Sequence, residues 1–140
     1  MKKIGSLIIL LVGLVLKSYA QAPAKDAVLG EWLSENKDGK VLIFKQGDKF
    51  FGKISWGKDA TRKDGKNPDE RLRNQTIVGS VILKNFEFTG QKWENGTVYD
   101  PNNGKTYSCT MKLSATNQLE LRGFVGISLL GRTTVWTRVK

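Results

Sequence analysis

The stretch "GFVGISLLGRTTVWTRVK" (123–140) is apolar for much of its length, yet it carries three glycines and runs into Trp136-Thr137-Arg138. Its second part, "RTTVWTRV" (132–139), reads as a strand. Gly123, Gly126 and Gly131 punctuate the connection into it, and glycine permits the sharp bends or bulges that barrel corners need. "ISLL" (127–130) is expected to pack across a barrel end; left exposed, it would instead mark a contact site. The terminal Trp-Thr-Arg gains meaning beside Gly30-Glu31-Trp32, in an early strand "VLGEWLS" (28–34). In a closed meander the first and last strands are neighbours. Arg138 would then lie over the indole face of Trp32, contribute roughly 0.5–2 kcal/mol and seal one end.

The residues between support such a meander. "KVLIFKQ" (40–46) follows a turn cluster of Asn36, Asp38 and Gly39, and Gly47-Asp48 makes the next turn. "KFFGKISW" (49–56) alternates, with Phe50, Gly52, Ile54 and Trp56 on one face and Phe51, Lys53 and Ser55 on the other. Strands resume at "IVGSVILKNFEF" (77–88), and "GTVYD" (96–100) and "KTYSCTMKLS" (105–114) flank a Pro- and Gly-bearing turn. Tyr107, Cys109, Met111 and Leu113 share a face, as do Leu119, Leu121 and Val125 of "QLELRGFVG" (118–126). The expected fold is all-β: an antiparallel meander of about eight strands, closed into a small barrel because closure removes exposed edges. A two-sheet sandwich is the alternative.

One segment breaks the alternation. "GKDATRKDGKNPDERLRNQT" (57–76) is a long charged loop with one short helix expected over 68–73. Asn67 can cap it, Pro68 suits the first helical position, and Glu70 sits where a capping-box acid reaches back. Asp59, Asp64, Asn67, Asp69 and Glu70 do not follow the spacing of a calcium loop.

Composition narrows the chemistry. Lys2 and Lys3, the apolar run from Ile4 to Leu16 and the small-x-small Ser18-Tyr19-Ala20 have the layout of a secretory signal peptide at 1–20. The run is short for a membrane span. Residues 21–27 read as a flexible lead-in and 28–140 as a single domain. The chain carries 23 Lys+Arg against 13 Asp+Glu, a net charge of +10. Loss of Lys2, Lys3 and Lys17 with the signal would leave about +7, which suits contact with an anionic envelope surface as well as a merely soluble, basic one. Export argues against nucleic acid. A single cysteine, Cys109, excludes an internal disulfide, and the absence of histidine removes the commonest general base and zinc ligand. No metal site, cofactor or catalytic constellation is expected.

Gly30-x-Trp32 at the first strand and Arg138 near the end of the last resemble the lipocalin and wider calycin signature. A closer resemblance covers nearly the whole mature chain. It is carried by Gly30-x-Trp32, Gly52-Lys53-Ile54, Lys66-Asn67-Pro68-Asp69, Leu72-Arg73-Asn74, Gly79, Gly96-x-x-Tyr99-Asp100-Pro101-x-x-Gly104-Lys105-x-Tyr107, Leu121-Arg122-Gly123, Gly131-Arg132-Thr133 and Trp136-Thr137-Arg138. On these residues the chain resembles the bacterial domain of unknown function 2147. The resemblance implies a small exported protein, periplasmic or secreted, with a calycin-like barrel and no established reaction.

Two functions stay open. In the first, the barrel binds a small apolar or amphipathic molecule. Phe50, Ile54, Trp56, Tyr107 and Met111 are then the interior contacts, and the 57–76 loop, with Asn67, Pro68, Asp69 and Arg73, stands at the mouth. In the second, those large side chains fill the barrel, and its loops or basic surface contact envelope components. The purified mature protein is expected to begin at Gln21, or else at Pro23; N-terminal sequencing that finds Met1 in the envelope protein overturns the reading of export.

Overall fold

The computed structural model describes Gly13 and residues 22–140. The signal peptide expected at 1–20 therefore lies, Gly13 apart, outside the described residues. Eight strands follow one another: β1 (Gly30–Leu33), β2 (Gly39–Gln46), β3 (Lys49–Gly57), β4 (Val81–Phe88), β5 (Trp93–Asp100), β6 (Lys105–Ala115), β7 (Gln118–Phe124) and β8 (Arg132–Arg138). Each pairs antiparallel with the next, and β8 returns to β1. The meander is thus a closed barrel and not a sandwich, and closure leaves no unpaired edge. Among the described residues no helix is long and apolar enough to cross a membrane.

Because strand direction alternates, the connections sort to two ends. The entering chain and the turns at 47–48, 89–92 and 116–117 lie at one end. The loops 34–38, 58–80, 101–104 and 125–131 lie at the other, the mouth. Between them the interior is filled. Trp32, Ile43, Phe50, Leu83, Phe86, Trp93, Met111 and Leu119 are fully buried in one cluster. Large residues fit because glycines face them. A Cβ at Gly96 would stand 2.4 Å from the Phe86 ring, and one at Gly52 would stand 2.8 Å from Leu83. Cys109 joins this core, and burial pushes its thiol up to about 12.

The closed end is built on one guanidinium. Arg138 lies 4.2 Å from the centre of the Trp32 ring and opposite Trp32 in the β1–β8 ladder. It also donates to the carbonyls of Ala27, Leu29 and Thr116. Gly30 makes room: its φ is +122°, and a Cβ there would approach the Arg138 Nη1 to 3.2 Å. The indoles complete the seal, with Trp32 Nε1 donating to the Val28 carbonyl and Trp93 Nε1 to that of Lys25. The segment expected as a flexible lead-in is thereby tied down: residues 24–29 form a hydrogen-bonded turn, and Val28 is fully buried.

Three local expectations need correction. The short helix is a 3-10 turn at Glu70–Leu72 capped by Asp69, whose carboxylate accepts from the Arg71 amide; Asn67 instead accepts from the Asp69 amide one turn earlier. Residues 77–80 precede β4 as a turn, with Gly79 at φ +96°. Val125 and "ISLL" do not pack across the barrel end. Val125, Ile127, Leu129 and Leu130 are 60–81% exposed, because β7 ends at Phe124 and the connection extends beyond the mouth.

Trp32→Ala should destabilise the barrel by about 3–5 kcal/mol, the cost of emptying a large core site. Arg138→Ala should cost about 3 kcal/mol, since it removes the stack and strands several carbonyls. Denaturant unfolding of the single and double variants should show strong coupling; additive losses would mean that the two side chains act separately.

Candidate functional site

A cavity of about 300 Å³ opens at the mouth. Trp136, Val41 and Ile82 form its floor at the top of the filled core. Ile54, Trp56, Ile77 and Val78 form its walls, and Asp38, Lys40, Lys58, Asp59, Arg62 and Asn102 surround it. The site is an apolar cup with a polar, cation-rich rim, as small-molecule sites commonly are.

Each rim group has its own setting. The Asp38 carboxylate accepts from the Ser34 hydroxyl, and that of Asp59 from the amide and hydroxyl of Thr61. The Thr61 bonds hold the Asp59 carboxyl below its usual value. Arg62 donates to the Asn102 side chain across the mouth, and the Lys40 ammonium lies 5.4 Å from the centre of the Trp56 ring. Lys58 makes no ion pair among the described residues.

The residues expected to contact a ligand divide. Phe50 and Met111 are fully buried and belong to the packed core below the cup. Ile54 is half-buried and lines the cup. Tyr107 is half-buried at the rim of β6, where its hydroxyl accepts from Asn103. Trp56 does not continue the inward face of Phe50 and Ile54. In the β2–β3 ladder Val41 faces Ile54 but Lys40 faces Trp56, so Ser55 is an extra residue. This bulge reverses the alternation and leaves Trp56 41% exposed at the rim.

The long loop also divides. Lys58, Asp59, Arg62, Ile77 and Val78, its two ends, line the cup. Asn67 and Pro68 line a separate cavity of about 480 Å³ against the outer wall, with Asp64, Thr97 and Tyr99. Asp69 and Arg73 line neither; Asp69 pairs with Arg71, and Arg73 with Glu70 and the Asn67 carbonyl. The placement expected at the mouth for Asn67, Pro68, Asp69 and Arg73 is therefore corrected to the flank and outer turn. Tertiary bonds hold the loop there. Buried Asp64 accepts from the Tyr99 hydroxyl at 2.7 Å and from Asn67 at 2.9 Å, and Lys66 donates to the Asn102 carbonyl. Gly104, at φ +73°, sits where any Cβ would strike the Lys66 carbonyl.

Ile77, Val78, Ile82, Val41, Lys58, Arg62 and Trp136 escaped the sequence as cup residues. Ile77 and Val78 resemble the start of a strand, and nothing local links them to Trp136.

Residues 30–138 match a family described as uncharacterised proteins conserved in bacteria, DUF2147. The chain belongs to this family. The match spans the barrel from the first residue of β1 to the last of β8, as the resemblance had implied. A solved protein of the human pathogen Helicobacter pylori, described as belonging to the lipocalin family, is similar in fold. Its TM-score is 0.73 at 24% identity, over 80% of this chain and 82% of that one. No curated protein matches the chain. The DUF2147 barrel described here is thus lipocalin-like, with a filled interior and a shallow mouth cup.

The Tyr99–Asp64 bond makes the stapled loop sensitive to alkali. Burial, and then the adjacent carboxylate, push the Tyr99 phenol up to about 12. Its folded value stands above the ordinary 10.0, so the stability it contributes is present below pH 10 and is lost as pH rises toward about 12. Phenolate absorbance should show one late-titrating tyrosine that disappears in Tyr99→Phe; if the substitution instead removes a tyrosine that titrates near the ordinary value, Tyr99 stands in free solvent.

Proposed function

We propose that the protein binds a small amphipathic molecule in the mouth cup, after export to the cell envelope or beyond. The observation that carries this reading is an apolar recess at the open end of a barrel that is otherwise filled. Because Phe50, Phe86, Trp93 and Met111 occupy the depth of the barrel, a ligand must be short and remain near the mouth. Its apolar part would rest on Trp136, Ile54 and Trp56. Its polar part would face the rim, where Lys40, Lys58 and Arg62 outnumber Asp38 and Asp59, so an anionic headgroup is the best match.

This reading is of a carrier or sensor and not of an enzyme. The rim carboxylates already accept hydroxyl bonds from Ser34 and Thr61. The basic start and apolar run of the sequence support export. No cofactor enters the reading.

A fluorescent medium-chain fatty acid should bind the purified protein with 1:1 stoichiometry. Trp56→Ala should weaken binding about fivefold by removing a wall, and Lys58→Glu with Arg62→Glu about tenfold or more by reversing rim charge. A neutral analogue of the same chain length should be insensitive to the charge reversal. Failure of both probes to bind, or binding indifferent to Trp56→Ala, would exclude the cup as the site.

A further inference from the structure

The hairpin tip between β7 and β8 carries Val125, Ile127, Leu129 and Leu130, which are 73%, 60%, 81% and 77% exposed. Four large aliphatic side chains are thus exposed within one six-residue connection, unlike scattered exposed residues that need no explanation. The tip is also firmly built. Arg122, from β7, donates through Nε to the Ser128 carbonyl at 2.6 Å, through Nη2 to the Leu129 carbonyl at 3.2 Å and through Nη1 to the Thr133 hydroxyl at 2.8 Å. The Leu130 and Gly131 amides donate to the Ile127 and Ser128 carbonyls. Gly131 has no space for a side chain, since a Cβ would lie 2.6 Å from the Gly123 carbonyl. The carbonyls at 127, 128 and 129 and the amides at 130 and 131 are thus bonded from within the tip, while its large aliphatic side chains stay exposed.

Charge selects the partner. No acid occurs from Leu121 to Lys140, and Arg122 and Arg132 flank the tip at its base. Lower on the same wall, Lys92, Lys112 and Arg122 border a shallow hollow with Glu94 and Glu120, of which Glu120 pairs with Lys112. The tip is therefore apolar with Arg122 and Arg132 at its base, and the hollow below it carries three cations against two acids. This is the pattern of a segment that enters the boundary of a bilayer, with side chains among the acyl groups and cations at the phosphates. A protein partner fits less well. A convex hairpin tip offers much less than the roughly 800 Å² per partner of a stable interface, whereas a bilayer requires no complementary pocket.

We infer that residues 125–130 dock the protein on lipid bilayers with anionic headgroups, the apolar tip inserted and Arg122 and Arg132 at the level of the phosphates. The cup opens at the same end, so docking turns it toward the membrane. The docking itself does not rest on the cup being a ligand site.

Site-specific labelling tests this. Cys109 is buried in the core, so Leu129→Cys supplies a single reactive thiol at the tip for an environment-sensitive fluorophore. Gln91→Cys, in a turn at the closed end, serves as the control. The label reports its own surroundings, whatever other part of the chain touches the vesicle. Phosphatidylcholine vesicles containing about a third phosphatidylglycerol should shift the 129 emission to the blue, and lipid-borne quenchers should suppress it. The label at 91 should respond to neither. Partition into pure phosphatidylcholine should be at least about tenfold weaker, and Leu130→Glu in the labelled protein should abolish the response. Several results would overturn the proposal: no shift at 129, equal responses at 129 and 91, or equal binding to neutral vesicles. A lipid-free shift at 129 that grows with protein concentration would do so too, because it would identify the occupant as a second copy of the chain.

Discussion

The barrel depends on its last seam. β1 is the shortest strand, and it meets β8 only through Trp32 with Arg138 and Leu33 with Thr137, extended by the Val139 amide on the Glu31 carbonyl. So short a ladder would fray by itself. The Arg138 guanidinium reinforces it from both sides of the chain. Its face covers the Trp32 indole, and its edges bond carbonyls from the entering segment and from the 116–117 turn. A lysine could neither stack nor reach several carbonyls in one plane. Gly30 is required by the same contact, because its positive φ and missing side chain leave the space the guanidinium occupies.

Closure then dictates what the interior can hold. A small eight-stranded barrel has room for its own side chains or for one small guest. Here the rings of Trp32, Phe50, Phe86 and Trp93 take that room, and Phe86 does so against the bare backbone of Gly96. Only above this layer, where Val41, Ile82 and Trp136 look toward the mouth, does an unfilled recess remain. The filled core and the shallow cup are therefore one consequence of the same packing.

The two ends are correspondingly different. At the closed end the carbonyls at 25, 27, 28 and 29 receive indole or guanidinium donors, and the chain entry becomes a plug. At the mouth the long loop is fastened sideways through Asp64 and Tyr99, so that its middle lies on the wall while its two ends border the cup. The apolar tip at 125–130 stands at this end too. The cup and the apolar tip thus share the mouth, while the indole and guanidinium bonds of the closed end serve stability.

Alternation in 40–56 and 105–126 and the Gly-x-Trp and Trp-Thr-Arg termini of the barrel made the closed all-β meander legible, because side-chain period and turn chemistry are local properties of a chain. Arg138 over Trp32 was legible for the same reason once closure made the first and last strands neighbours. The site was legible only in fragments such as Ile54. Trp56 left the inward face through a single extra residue at Ser55, which strand pairing reveals and periodicity does not. "ISLL" has the composition of core, but β7 ends before it and carries it past the barrel rim. Lys58, Arg62, Ile77, Val78 and Trp136 become one cup because closure brings the ends of distant strands around a common mouth. The sequence by itself determined the strand order and the seal. The tertiary structure alone decided where the filled barrel stops and the open recess begins, since that boundary depends on volumes packed across the barrel and not on any pattern along the chain.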